Sequence, residues 1–408
     1  MRKWRRWWVV PDALPSSIAG SPRLNPLLDW LLAEGRLEPD LGRFVDQLMN
    51  RAVAAGLPLW RFYIGLQLVH PQMVATGVLW RRGEGYQEVP RVHGILDSPS
   101  YIGSPMQEVR QTGGAVRYRL SESLPEASHT VLRELKEAGG TDYVAFPMRL
   151  GRRGSNPVAS FATDRPGGFG EADIADLKRL VDIMAPVAEI YIYRSISETV
   201  TDTYLGRVVG EQILGGLIKR GDGQEINAVL WFSDLRDFTG LNERMAPSDL
   251  IELLNNYLQL VGDALKVNGG EILKFIGDGV MAYFPAEDAL FLPEVTGNAI
   301  AAARRLVDDI EAANEARATG GHDPVRFGVG LHVGPVTFGN IGTEDRLDFT
   351  VIGPAVNRAA RLENLTKQLG VPVLASAEFN AACSIPLRSL GRHVLRGVPD
   401  PVEVFTLP

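Results

Sequence analysis

One stretch leaves the chain little freedom of fold. Residues 228–233, AVLWFS, make a short continuous apolar run that reads as a strand stopping at Asp234. An amphipathic helix follows a few residues on. Pro247 opens it, Leu250, Leu253, Leu254, Tyr257, Leu258, Val261 and Leu265 share one face, and NGG at 268–270 ends it. Residues 271–276 and 280–284 then read as a hairpin around Gly277, Asp278 and Gly279. One carboxylate thus ends a strand and a second tips a hairpin. Isolated aspartates in turns usually serve only the turn. If the two strands are neighbours, however, Asp234 and Asp278 converge. A hard divalent cation that also holds phosphates needs one or two carboxylates, and the start of the next helix offers free N–H groups to an anion.

The rest of the composition narrows the class. A length of 408 residues predicts two or three domains. Apolar residues are 45% and charged residues 22%, which excludes a disordered, collagenous or disulfide-stapled chain. Cys383 is the single cysteine and reads as a small buried residue. A net charge of −7 argues against a nucleic-acid polymer as partner, though not against one nucleotide held through cations. Trp4, Trp7, Trp8, Trp30, Trp60 and Trp80 crowd the first 80 residues, leaving only Trp231 beyond, so the two parts of the chain are different structures.

The start, MRKWRRWWVVP, is basic, but its apolar run stops at Pro11, short of the ~7–15 residues of a signal peptide. No run of about 18 apolar residues occurs elsewhere, and the expected location is the cytoplasm. Arg2, Lys3, Arg5 and Arg6 with Trp4, Trp7 and Trp8 suit an anionic membrane surface or, the preferred reading, an arm packed on its own domain.

Residues 1–40 read as this arm with a short helix near 27–32. A helical pattern begins at Leu41, with Phe44, Val45, Leu48, Met49 and Val53 in step. Strands are expected at 62–69, 74–80, 115–118, 143–149 and 158–163, a helix at 131–137, and a turn in GRRGSNP at 151–157. FATDRPGGFGEADI at 161–174 leads into a long helix. That order resembles a GAF domain, a small α+β ligand-sensing module, over about residues 40–195. The resemblance implies a sensor at 41–170 with an unknown small-molecule or protein regulator. Only His70, His93 and His129 lie here, with no cysteine, so haem or bilin attachment has little support. Helix 171–202 carries a stripe of Ile174, Leu177, Leu180, Ile183, Met184, Val187, Ile190 and Tyr191, which can bury in a core or pair with its copy. The glycine-interrupted segment 203–225 reads as a bending transducer.

Three longer motifs stand in order: FSDLRDFT at 232–239, KFIGDG at 274–279 and FTVIGPAVNRAARLE at 349–363. Together they resemble the class III nucleotidyl cyclases over about residues 202–408. The resemblance implies a ferredoxin-like catalytic domain at 226–408, making the whole chain α+β: a GAF-like sensor, a connecting helix and a cyclase. It also implies a head-to-tail homodimer whose two sites each use both chains. By position, Asp234, Asp278 and the carbonyl of Leu235 would hold two Mg2+ or Mn2+ per site, with Phe238 and Thr239 meeting the substrate nearby. The partner's Asn357 would orient the ribose and the partner's Arg361 would offset charge on the α-phosphate; four apart, they share a helix face. Arg396 stands where a triphosphate-binding lysine is usual, keeping the charge but changing the geometry. Arg346 would contact the triphosphate as well.

Lys274 and Thr350 would read adenine, the lysine donating to ring N1 and the threonine accepting from the 6-amino group. Guanine would face Lys274 with an N1–H donor and leave both unpaired, so ATP is expected over GTP. Two residues depart from the family pattern: Asp237 where glycine is common, and Pro354 where aspartate is common. The expected activity is an adenylate cyclase making cyclic AMP and pyrophosphate, regulated by the sensor through helix pairing. A guanylate cyclase on the same fold and a degenerate signalling protein are the alternatives.

Overall fold

The computed structural model describes residues 21–67, 73–92, 94–151, 157–216, 219, 221, 223–286 and 288–408. The Trp/Arg arm at 1–20, His70, His93 and the middle of the 151–157 turn lie outside them. The chain divides into two units, Met1–Thr203 and Tyr204–Pro408. Among the described residues no helix is long and apolar enough to cross a membrane.

The first unit runs α1 (Asn25–Ala33), α2 (Leu41–Ala54), β1 (Arg61–Gln67), β2 (Met73–Arg81), β3 (Gly85–Val92), α3 (Pro105–Thr112), β4 (Val116–Arg119), α4 (Thr130–Glu137), β5 (Asp142–Pro147), β6 (Val158–Thr163) and α5 (Glu171–Leu205). Its antiparallel sheet has the order β3-β2-β1-β6-β5-β4. Phe62 and Ile64 alternate onto one face, where they meet Phe44 and Leu48 of α2 and Leu177 and Met184 of α5. Val109, Leu132, Tyr143 and Val158 form a smaller core. The sequence pattern puts residues 1–40 in an arm with a short helix; of the described part, Leu24, Leu27, Trp30 and Leu31 are buried in the main core. Two elements have no counterpart in the sequence reading. Polar β3 tolerates Pro90 because it is an edge strand. Helix α3 is capped by Ser104 and closed by Gly113 at φ 67.

The loop before α5 is clamped. Arg117 pairs at 2.7 Å with Asp142, which is fully buried, and reaches Glu171 at 3.2 Å. The Phe169 amide donates to Asp142 at 3.0 Å. Gly168 has φ 74, and a Cβ there would come within 2.6 Å of the Asp142 carboxylate, so only glycine fits.

The second unit runs α6 (Arg207–Leu214), β7 (Gly223–Leu235), α7 (Phe238–Arg244), α8 (Pro247–Val267), β8 (Glu271–Ile276), β9 (Gly279–Pro285), α9 (Leu292–Thr319), β10 (Phe327–Gly342), β11 (Leu347–Ile352), α10 (Pro354–Leu369), β12 (Val373–Ser376), α11 (Ala377–Ala382), β13 (Arg388–His393) and β14 (Val402–Thr406). The sheet order is β13-β14-β12-β10-β7-β9-β8, with β11 paired to β10. Within it, β10-β7-β9-β8 with α8 and α9 reproduces the ferredoxin-like βαββαβ order. Tyr257, Val261 and Leu265 of α8 and Ile300 and Leu306 of α9 cover one face. Ala355 and Ala359 of α10 and Val209 of α6 cover the other. Cys383 is half-buried against the first of these layers.

Candidate active site

Strand register creates the site. Ser233 of β7 pairs with Val280 of β9, so the end of β7 lies beside the Gly277–Gly279 turn. A Cβ on Gly279 would stand 3.3 Å from Asp234 Oδ1, so the glycine leaves the carboxylate its room. The side chains of Asp234 and Asp278 come into hydrogen-bonding contact. Burial first, then the bond to Asp278 and the charges of Asp278 and Glu363, push Asp234 up to about 7 against the pull of Arg236. Beneath lies the buried Tyr257 of α8. Burial above all, with the Asp234, Asp278 and Glu363 charges, raises its phenol well above the ordinary value.

The donor set fits a hard divalent cation. Two carboxylates converge, and the main chain continues at Leu235. Among the described residues no group of three or more His, Cys, Asp or Glu side chains is arranged for a metal.

The next residues turn sharply. Asp237 has φ 59, the one non-glycine residue with positive φ among those described, and pairs with Arg244 at 3.0 Å. Half-buried Phe238 and exposed Thr239 begin α7. Arg236 pairs at 2.8 Å with Glu363 of α10, whose carboxyl is pushed up by burial against the pull of Arg236.

Helix α10 lies against β10 on a row of glycines. Cβ atoms on Gly328, Gly330 and Gly334 would strike Thr366, Ala359 and Ala355. Gly328 pairs with Asp234 and Gly334 with Ala228, so the far end of α10 lies level with the aspartates and its start does not. Asn357 sits between Ala355 and Ala359, level with His332 and thus with Leu230. Leu230 itself lies four strand residues, roughly 13 Å along β7, from Asp234. Arg361 rests against the loop after β13, where a Cβ on Gly397 would approach its guanidinium to 3.3 Å; Arg396 is the neighbouring residue. Exposed Arg346 lies in the β10–β11 turn. Lys274 of β8 donates to Asp348 of β11.

One chain therefore gathers Asp234 with Asp278, Lys274 with Asp348, and Arg361 with the loop carrying Arg396. The start of α10, beside Gly334, is not level with the aspartates. Lys274 is bonded to Asp348 rather than to Thr350, which lies half-buried on the same strand opposite Gly339. Asp348, Tyr257 and Glu363 are the residues that motif reading passed over. Only Asp348 carried a signal, standing two residues before Thr350 and so on its strand face.

Residues 223–407 match the model of the adenylate and guanylate cyclase catalytic domain. Over this part the chain is similar to adenylate and guanylate cyclase catalytic domains. Adenylate cyclase 1 of Rhizobium meliloti (strain 1021) is 27% identical over 299 residues, 70% of this chain and 44% of the relative. The adenylate cyclase of Anabaena cylindrica is 34% identical over 197 residues, 46% of this chain and 38% of that protein. The chain thus spans less than half the length of these curated relatives. Among solved structures, the adenylyl cyclase CyaB from P. aeruginosa is 30% identical, aligns 46% of this chain with 96% of its own, and has a TM-score of 0.42.

Proposed function

We propose that the chain is an adenylate cyclase that converts ATP to 3′,5′-cyclic AMP and pyrophosphate at the interface of a head-to-tail homodimer. The observation that carries this reading is the contact of Asp234 with Asp278, two carboxylates brought together where β7 meets the turn before β9. Asp234, Asp278 and the Leu235 carbonyl would hold two Mg2+ or Mn2+, whose chemistry when bound would be to make the ribose 3′-hydroxyl more acidic and to offset phosphate charge. The chain's own residues do the rest. Lys274 donates to adenine N1 and Thr350 accepts from the 6-amino group. Asn357 of the partner subunit orients the ribose, and Arg361 of the partner subunit faces the α-phosphate as charge builds there. Phe238 and Thr239 line the phosphate end, and Arg396 with Arg346 holds the triphosphate. The start of α10, which lies against Gly334 rather than level with the aspartates, supports a site shared between two chains.

The first unit serves as a GAF-like sensor whose ligand changes how the two copies of α5 pair, provided it binds the two arrangements differently. Purified protein given ATP with Mn2+ or Mg2+ should release cyclic AMP. No product with either metal would end the enzyme reading.

A further inference from the structure

Lys274 and Asp348 form an ion pair within one chain, linking β8 to β11. Their side chains are 33% and 56% exposed, so the pair adds little to stability and its role has to be sought elsewhere. Strand β11 fixes where the carboxylate points. Phe349 and Val351 are buried in the core beside Phe338 and Tyr283, which turns Asp348 and Thr350 together to the opposite face. Pairing with β10 holds that face in place, with Ile341 opposite Asp348 and Gly339 opposite Thr350. The lysine head is thus tethered one dipeptide repeat, about 7 Å, from Thr350.

The tether has two chemical effects. A lysine ammonium has three donors on a flexible stem. An acceptor that takes one of them restricts where the other two aim. The carboxylate is affected too. Ionised, it is an acceptor only. Left free beside the base, it would accept from the N1–H and 2-amino groups of guanine. Bound to Lys274, it is occupied.

We propose that Asp348 is a positioning residue for base selection. It directs the remaining donors of Lys274 toward adenine N1, and in the same contact withdraws a carboxylate that would favour guanine. This rests on the reading of the domain as an adenylate cyclase, and it adds a third residue to the pair, Lys274 and Thr350, that the motifs point to.

The test is steady-state kinetics on the full chain with ATP and with GTP. Asp348→Asn should raise KM for ATP roughly 10- to 100-fold with little change in kcat, and should narrow the ATP-to-GTP ratio of kcat/KM. Asp348→Glu keeps an acceptor and should recover most of the ATP affinity. An unchanged KM, or equal losses for ATP and GTP, would overturn the proposal. A second measurement covers an inactive protein: calorimetric binding of 3′-deoxy-ATP and 3′-deoxy-GTP with Mn2+. If wild type makes no cyclic AMP, the proposed activity falls, yet an adenine preference lost in Asp348→Asn still supports the role of Asp348. The same preference in both proteins, or binding of neither analogue, overturns it.

Discussion

Asp234 and Asp278 touch each other through a contact that two ionised carboxylates cannot make; a proton or a cation has to lie between them. Without metal, Asp234 keeps its proton up to about 7, whereas the unfolded chain releases it near 3.8. The folded state therefore binds more protons across that window, and metal-free stability should fall as pH rises from about 4 to about 7. A divalent cation displaces the proton, so Mn2+ should raise the melting temperature more at pH 8 than at pH 5.5. Asp234→Asn should abolish turnover, keep the fold and remove this pH-dependent metal effect. Melting curves with EDTA and with Mn2+ at both pH values measure it, and an undiminished metal response in the variant would take Asp234 out of the cation site.

A site shared between two chains gives the dimer a direct test. Asp234→Ala and Arg361→Ala should each be inactive. Mixed and allowed to exchange, they should regain about a quarter of wild-type activity. Half of the dimers are then mixed, and each holds one intact site of two under twofold symmetry. A mixture as dead as its components would place both residues in the same chain's site.

Asp237 occupies a left-handed conformation at a cost of about 1 kcal/mol. Its exposed bond to Arg244 returns at most about that much. Asp237→Gly should leave stability nearly unchanged while removing a negative charge beside the phosphate end. KM for ATP should fall, and a rise would show that the carboxylate assists binding.

His332 is buried, bonded at 2.8 Å to Ser376, with Glu378 at 3.9 Å and Arg358 paired to that glutamate. Burial lowers it to about 4 from an ordinary 6.5, against the pull of Glu378. The folded state then binds fewer protons than the unfolded chain between those values. Its contribution is complete above about 6.5 and is lost as pH falls toward 4. Denaturant titrations at pH 7 and pH 5 should show a smaller acid loss for His332→Gln than for wild type.

Arg117→Ala leaves the buried Asp142 with only the Phe169 amide and the half-exposed Arg119 at 3.9 Å. A loss of up to about 3–5 kcal/mol is expected, because a poorly compensated interior charge is costly. Denaturant unfolding followed in the first unit reads it; a loss under about 1 kcal/mol would mean that Asp142 finds another partner.

The aspartate site was legible because each of its parts is local. An apolar run, a helical stripe and a glycine-flanked turn each announce themselves within a few residues. Strand β10 was not legible. Its glycines, needed so that α10 can lie close, erase the alternation that marks a strand. Polar β3 was hidden by Pro90, which its edge position permits. The bond from Lys274 to Asp348 crosses 74 residues of sequence and exists only once β11 folds back on β10. Residues 21–40 looked like an arm because their prolines masked four apolar side chains, which the core takes in.

Arg117 joins β5, the loop before α5 and the first residue of α5 in one side chain. Mechanically, this removes the slack from that connection. The base of α5 is thus held to β4 and β5 through one guanidinium, so the direction in which the helix leaves the sheet is set by the strands themselves.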